Sequence, residues 1–254
     1  GRDADFILVD DLKAFRVRKV FTAGRLIAED GRVLTPLDDA AAGAPSHSIH
    51  LKPLAEDALS LPVRTGKARV IGIEPASLVT KSLVREVKTD DAGCFQSALN
   101  PGLTKIAVIE RHKRTGKLGI GILEGYGLTG GAIATTISHD SHNIVVAGDN
   151  DPDMLLAVRE LADMGGGIVS VHGGAIRRLP LPIAGLMTSA DPQEVNAVLH
   201  DMLVAARAEL GIPEDVEPFM TLSFMALPVI PELKLTARGL FNVNTFSFVG
   251  VEAD

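Results

Sequence analysis

Short apolar runs broken by turn residues dominate the chain. Phe6–Val9 ends in Asp10-Asp11, Val17–Thr22 and Arg25–Ala28 flank Ala23-Gly24, and Asp30-Gly31 precedes Arg32–Leu34. Runs of β-prone residues joined by such dipeptides predict a strand meander. Three or four strands in about 34 residues bury too little surface to be stable alone, so residues 1–34 need a sheet partner from elsewhere. The stretch 35–48 holds Pro36, two Asp, three consecutive Ala, Gly43 and Pro45. That shift toward small and turn-forming residues predicts a linker, with one α+β domain over 49–254.

Within that domain, Lys67–Ile73, Leu78–Lys88, Thr104–Glu110, Leu118–Glu124, Ala132–Ser138 and Ile144–Gly148 read as strands. Asp151-Pro152 then opens a helix, with Asp as the cap and Pro at its first position. Leu155, Leu156, Val158 and Leu161 give it an apolar stripe, Gly165-Gly166-Gly167 end it, and Ile168–Val171 resumes as a strand. Strand–helix–strand with so short a connection predicts a right-handed parallel crossover. A second helix runs from Asp191-Pro192 to Leu210, stopped by Gly211 and Pro213, with Val195, Val198, Leu199, Met202 and Leu203 on one side. The tail, Phe219–Val249, alternates apolar runs with prolines and is expected to close the core. The fold class is therefore α+β: a small β segment followed by a mixed-sheet α/β domain.

Charge removes one class of function. Lys+Arg number 25 and Asp+Glu 32, a net charge of −7, whereas a nucleic-acid binder carries a basic face. The richest apolar stretch, Thr221–Leu233, is cut by Pro228 and Pro231 and falls short of the roughly 18–20 residues of a membrane span. Cys94 is the one cysteine, which excludes an internal disulfide and a multi-cysteine metal cluster. A reducing compartment is the simplest inference, and a cytoplasmic location is expected. Gly1 is not a start methionine, so the chain is expected to be a processed piece or an excerpt.

The densest polar cluster is His139-Asp140-Ser141-His142-Asn143, set between two apolar strands. His139, Asp140 and His142 are the candidate catalytic residues of this chain, and Ser141 and Asn143 candidates for shaping a substrate site. The plainer alternative is a polar turn whose side chains satisfy nearby backbone. Sequence neighbours about 3.8 Å apart point in different directions, and no Gly-x-Ser-x-Gly elbow occurs, so a serine-hydrolase triad is rejected. Glu110-Arg111-His112 ends a strand before the basic turn Lys113–Gly116. Adjacent strand residues face opposite ways, so Glu110 and His112 share a side. Both are further site-shaping candidates, against the reading of a solvated hairpin tip. The glycines of 119–131 precede a strand rather than a helix and lack Gly-Lys-Ser/Thr, which disfavours a phosphate loop. A cytidine-deaminase-type zinc site needs Pro-Cys-x-x-Cys and is excluded. His47, His50, His172 and His200 stand isolated, and the acidic run 149–153 reads as a helix cap rather than a calcium loop.

Longer stretches carry a resemblance. Gly1–Asp10 and Val17–Val33 resemble the segment by which amidohydrolase-superfamily enzymes leave their metal-binding barrel and re-enter a small β domain. Val70–Ile73, Thr80–Leu83, Ile106–His112, Gly131–Asn143, Asn150–Met154, Met164–Gly167, Leu179–Met187 and Pro218–Lys234 resemble the C-terminal region of the microbial adenine deaminases of that superfamily. The resemblance covers nearly the whole chain. It implies hydrolytic deamination of adenine to hypoxanthine and ammonia by a two-metal site in a (β/α) barrel, with manganese, iron or zinc as the divalent metal. No His-x-His pair and no run of eight strand–helix units occurs here, so no metal ligand is assigned to this chain. The resemblance further implies a barrel domain as partner, homo-oligomerisation, and neither nucleic acid nor membrane. The expected function is that of the C-terminal part of an adenine deaminase, inactive alone. A non-catalytic docking or assembly module is the alternative.

Overall fold

The structure is a computed structural model that describes residues 1–35 and 45–253. Most of the expected linker, 35–48, therefore lies outside the described residues. The chain divides into two compact units, Gly1–Gly43 and Ala44–Asp254.

The first unit is an antiparallel meander of β1 (Phe6–Val9), β2 (Val17–Thr22), β3 (Arg25–Glu29) and β4 (Arg32–Val33), in that spatial order. Its tight turns use positive φ at both central residues, Ala23 at 47° and Gly24 at 74°, then Asp30 at 48° and Gly31 at 78°. That conformation matches strand twist and explains the Asp-Gly pair and Gly24, while Ala23 adopts it against its own preference. Phe6 stacks on Phe21 with ring centroids 4.6 Å apart. None of the described residues in 1–35 is buried, and Phe6, Ile7 and Leu8 are all close to half exposed.

The second unit is built on one sheet of eight strands: β5 (Lys67–Ile73), β6 (Thr80–Glu86), β7 (Leu103–Ile109), β8 (Leu118–Glu124), β9 (Gly131–Thr135), β10 (Ile144–Gly148), β11 (Gly167–His172) and β12 (Ala175–Pro180). Their order is β12-β11-β9-β10-β7-β8-β5-β6, and every neighbouring pair is antiparallel except β5 with β8. β10, the Ala132–Ala134 stretch of β9 and the Ile106–Ile109 half of β7 read as unbroken apolar runs because the sheet is covered on both faces. Ala107, Ile109, Ala132, Ala134, Ile144 and Val146 pack beneath helix α1 (Asp151–Asp163), against its Met154, Leu155, Val158 and Leu161. The alternate residues Ile106, Val108, Ile133, Val145 and Ala147 face a second core. That core is closed by α2 (Pro192–Ala208), α3 (Pro218–Phe224), and β13 (Leu233–Thr236) and β14 (Gly239–Asn242) of a small sheet completed by β15 (Ser247–Phe248).

The expected crossover takes a different form. β10 and β11 do run parallel, but both pair with β9, which lies antiparallel between them. α1 therefore carries the chain across a neighbour rather than to an adjacent strand. The cap also differs. Asn150 caps α1 by accepting from the Asp153 N–H at 2.9 Å. Asp151 instead receives the buried Lys105 ammonium at 2.5 Å, whose other acceptor is Leu59 O. β12, α3 and the β13–β15 sheet were hidden in the sequence, the last two within the proline-broken tail. Residues 45–50 already belong to this unit: Pro45 O accepts from Ala184 N, and His50 N donates to Arg111 O.

Two glycines mark close approaches that hold the site region together. A Cβ on Gly119 of β8 would fall 2.1 Å from Thr236 O, so the β13–β14 turn can lie against β8 only with glycine there. Gly185, at φ 71°, would put a Cβ 2.9 Å from the Arg111 guanidinium.

Candidate functional site

Strand register brings the two polar segments together. β7 and β10 pair with Ile109 opposite Ile144, and the segments beyond those residues keep running side by side. Residues 110–112 consequently meet residues 141–143. Arg111 Nε donates to His142 O, and His112 Nε2 lies 2.8 Å from Ser141 O.

Glu110 organises the hairpin turn after β7. Its carboxylate accepts from the N–H of His112, Lys113 and Thr115 at 2.6, 2.7 and 3.0 Å, and from Thr115 Oγ1 at 2.8 Å. Burial alone would raise its pKa, but these four donors outweigh burial and hold it at about 2. β7 stops at Ile109, so strand alternation does not extend to His112. Glu110 folds over the turn while His112 reaches across to Ser141.

Arg111 was not singled out by the sequence, yet it is the hub of the region. Its side chain is 1% exposed and is shared among His142 O, Ser48 O and Oγ, and Ala184 O. It ties the entry segment, the 139–143 loop and the 184–185 turn to one buried cation. No carboxylate pairs with it among the described residues. No clear signal in the sequence marked it, because it sits among the charged residues Glu110, Lys113 and Arg114.

In the loop, His139 N donates to Ser223 O at 3.2 Å, and its ring lies 4.5 Å from that of Phe224 in α3. His142, at φ 47°, donates its N–H to Ser138 O at 2.6 Å. Asp140 and Ser141 are exposed, and Asn143 is buried. Burial first, then the Arg111 charge and His139, pull His142 below the ordinary histidine pKa, so it is uncharged near neutral pH. Three buried polar atoms of this segment have no hydrogen-bond partner among the described residues: Ser138 Oγ, His142 Nδ1 and Asn143 Oδ1. Such a concentration is unusual in a folded interior, where nearly all buried polar atoms are paired.

The loop does not make a metal site. The His139 and His142 rings are 6.4 Å apart, and no group of three or more His, Cys, Asp or Glu suited to a metal occurs among the described residues. The uncompensated Arg111 charge beside His142 further disfavours a cation. The divalent metal implied by the family resemblance therefore does not fit these residues.

The candidates divide among three places. Glu110 and Asn143 line one cavity of about 630 Å³, across from Phe241, Phe246 and Phe248. His139 leans toward α3, with the His142 ring 6.4 Å from its own, and His112 and Ser141 pair at the surface. Sequence reasoning missed the phenylalanines. Their signal was the alternation Phe246-Ser247-Phe248 after a turn.

Comparison with known proteins identifies the family. The model of the adenine deaminase C-terminal domain matches residues 77–247, which include every candidate named above. An adenine deaminase of Nitratidesulfovibrio vulgaris (strain Hildenborough) is 58% identical over 252 residues, covering 99% of this chain and 44% of that protein. Adenine deaminase 2 of Carboxydothermus hydrogenoformans is 45% identical, over 99% of this chain and 44% of its own length. An adenine deaminase of Clostridium acetobutylicum is 40% identical over 97% of this chain and 43% of its own. The chain thus spans less than half the length of these relatives. It belongs to the adenine deaminase C-terminal domain family.

Proposed function

We propose that this chain acts as the C-terminal part of an adenine deaminase, which converts adenine and water to hypoxanthine and ammonia. The observation that carries the reading is the match itself: 58% identity across 99% of the chain, which covers 44% of the relative's length. The reaction's metal chemistry is assigned to a barrel in polypeptide outside this chain, since the residues here do not fit a metal. The 139–143 loop is assigned a place beside the adenine site, which it helps to shape. Its support is the buried Arg111 that fixes the loop backbone and the orphaned polar atoms that lack partners among the described residues.

Two assays test this. The isolated chain, given adenine and manganese or iron, should release no ammonia, and measurable turnover would overturn the assignment. In the longer polypeptide, His142→Ala or Asp140→Ala should lower kcat/KM by about tenfold or more, with metal content unchanged, because misplacing a site wall is costly. Unchanged kinetics would remove the loop from the site.

A second reading, a docking or assembly module without catalytic residues, has its own support. The first unit has no buried residue among those described and exposes Phe6, Ile7 and Leu8, as a sheet made to be covered would. Under that reading, loop substitutions would alter association and leave kinetics intact.

A further inference from the structure

The groove between the β14–β15 hairpin and the start of β8 has no part in the function proposed above. Phe241 is its buried floor, and Phe246 and Phe248 stand edge-on to that ring with centroids 5.3 and 5.2 Å away. Phe246 is 76% exposed. Two cations border these rings. The Cζ of Arg238 lies 4.7 Å from the centre of the Phe248 ring, within cation–π range, and Lys117 lines the same groove. Both are exposed, and neither meets a carboxylate at ion-pair distance among the described residues. Glu110 is the one carboxylate on the lining, and four donors of its own turn already occupy it. Such a surface fits an apolar group flanked by negative charge.

Helix α2 carries that chemistry. Glu194, Ala197, Val198, Asp201 and Val204 fall at i, i+3, i+4, i+7 and i+10, so they share one side of the helix. All five are exposed, Val204 at 52%, because α2 meets the core through Met202, Ala205 and Ala206. Glu194 and Asp201 pair with no cation among the described residues, and the helix's one arginine, Arg207, turns to Pro213 O and Glu214. An acidic, valine-bearing helix face and an aromatic, cationic groove complement each other, as in the seating of amphipathic helices in grooves. Both are exposed on one folded unit, so the groove of one copy is free to take the helix of another. We infer that copies of this chain associate by seating α2 of one against Phe246 and Phe248 of the next, with Glu194 and Asp201 facing Lys117 and Arg238. The contact owes nothing to the adenine reading.

The test is sedimentation equilibrium of the 254-residue chain over a range of concentrations, at low salt and at about 1 M. The expected result is a mass above the monomer's at low salt that falls toward it at high salt, where charges are screened within about 3 Å. Phe246→Ala, at an exposed position, should weaken association about tenfold. Two charge-reversed variants identify the faces. Lys117→Glu with Arg238→Glu, and Glu194→Lys with Asp201→Lys, should each be monomeric, with the fold checked by circular dichroism. Mixed together they should associate again, since each then offers the charge that the other's face needs. A chain that is monomeric at every concentration would overturn the inference. So would association that either reversal leaves intact, or a mixture of the two variants that stays monomeric. A monomeric chain that instead binds phosphatidylserine vesicles, and loses them on Phe246→Ala, would give the groove to an anionic lipid surface.

Discussion

At the scale of single residues, position in the strand ladder decides role more than residue type does. Glu110 is a carboxylate near a candidate site, but four donors spend its charge on holding a turn. Its pKa, ordinarily 4.5, is held at about 2, so the folded chain binds fewer protons there than the unfolded one. The stability this confers is fully present above pH 4.5 and drains away as pH falls toward 2. Glu110→Gln should therefore cost about 1–2 kcal/mol at pH 7 and almost nothing near pH 2, measured by urea unfolding at both. The sequence made the polar clusters visible because five polar residues in a row between apolar strands stand out. It concealed Arg111, since one arginine among Glu110, His112, Lys113 and Arg114 looks like another solvated charge. Only the pairing of Ile109 with Ile144 shows that Arg111 turns inward to the carbonyl oxygen of His142.

Elements were legible where one period ruled and obscure where tertiary packing ruled. β5, β8 and β10 fall where their apolar runs begin and end, and α1 begins at Asp151 as its Asp-Pro suggests. The roles at that helix start are nevertheless exchanged between Asn150 and Asp151, because the buried Lys105 lies within reach of the second. Magnitudes separate the two. Asn150→Ala loses a cap and should cost about 1 kcal/mol. Asp151→Ala strands a buried ammonium with Leu59 O as its remaining acceptor and should cost about 3 kcal/mol. Thermal unfolding of both variants checks the order, and equal losses would refute it. The tail resisted reading for a related reason. α3 spans seven residues, and β13 and β14 four each, lengths at which no periodicity can declare itself.

On the scale of the whole molecule, the two units differ in what protects them. Strands β7, β9 and β10 are sealed between two cores, whereas β1–β4 have no buried side chain. Hydrogen–deuterium exchange should therefore label the amides of Phe6–Val33 much sooner than those of Leu103–Ile109 and Ile144–Gly148, and uniform protection would contradict it. The large sheet also ends in two guarded margins. At β6, Thr80 N donates to Pro231 O, Glu232 N to Thr80 O, and Ser82 N to the Glu232 carboxylate. At β12, Arg177 pairs with Glu209, Arg178 with Glu160, and Pro180 closes the strand. The start of β6 is thus already paired, and charged side chains and a terminal proline at β12 are the devices that disfavour edge-to-edge joining, so both margins work against copies of this domain lengthening one another's sheet into fibrils.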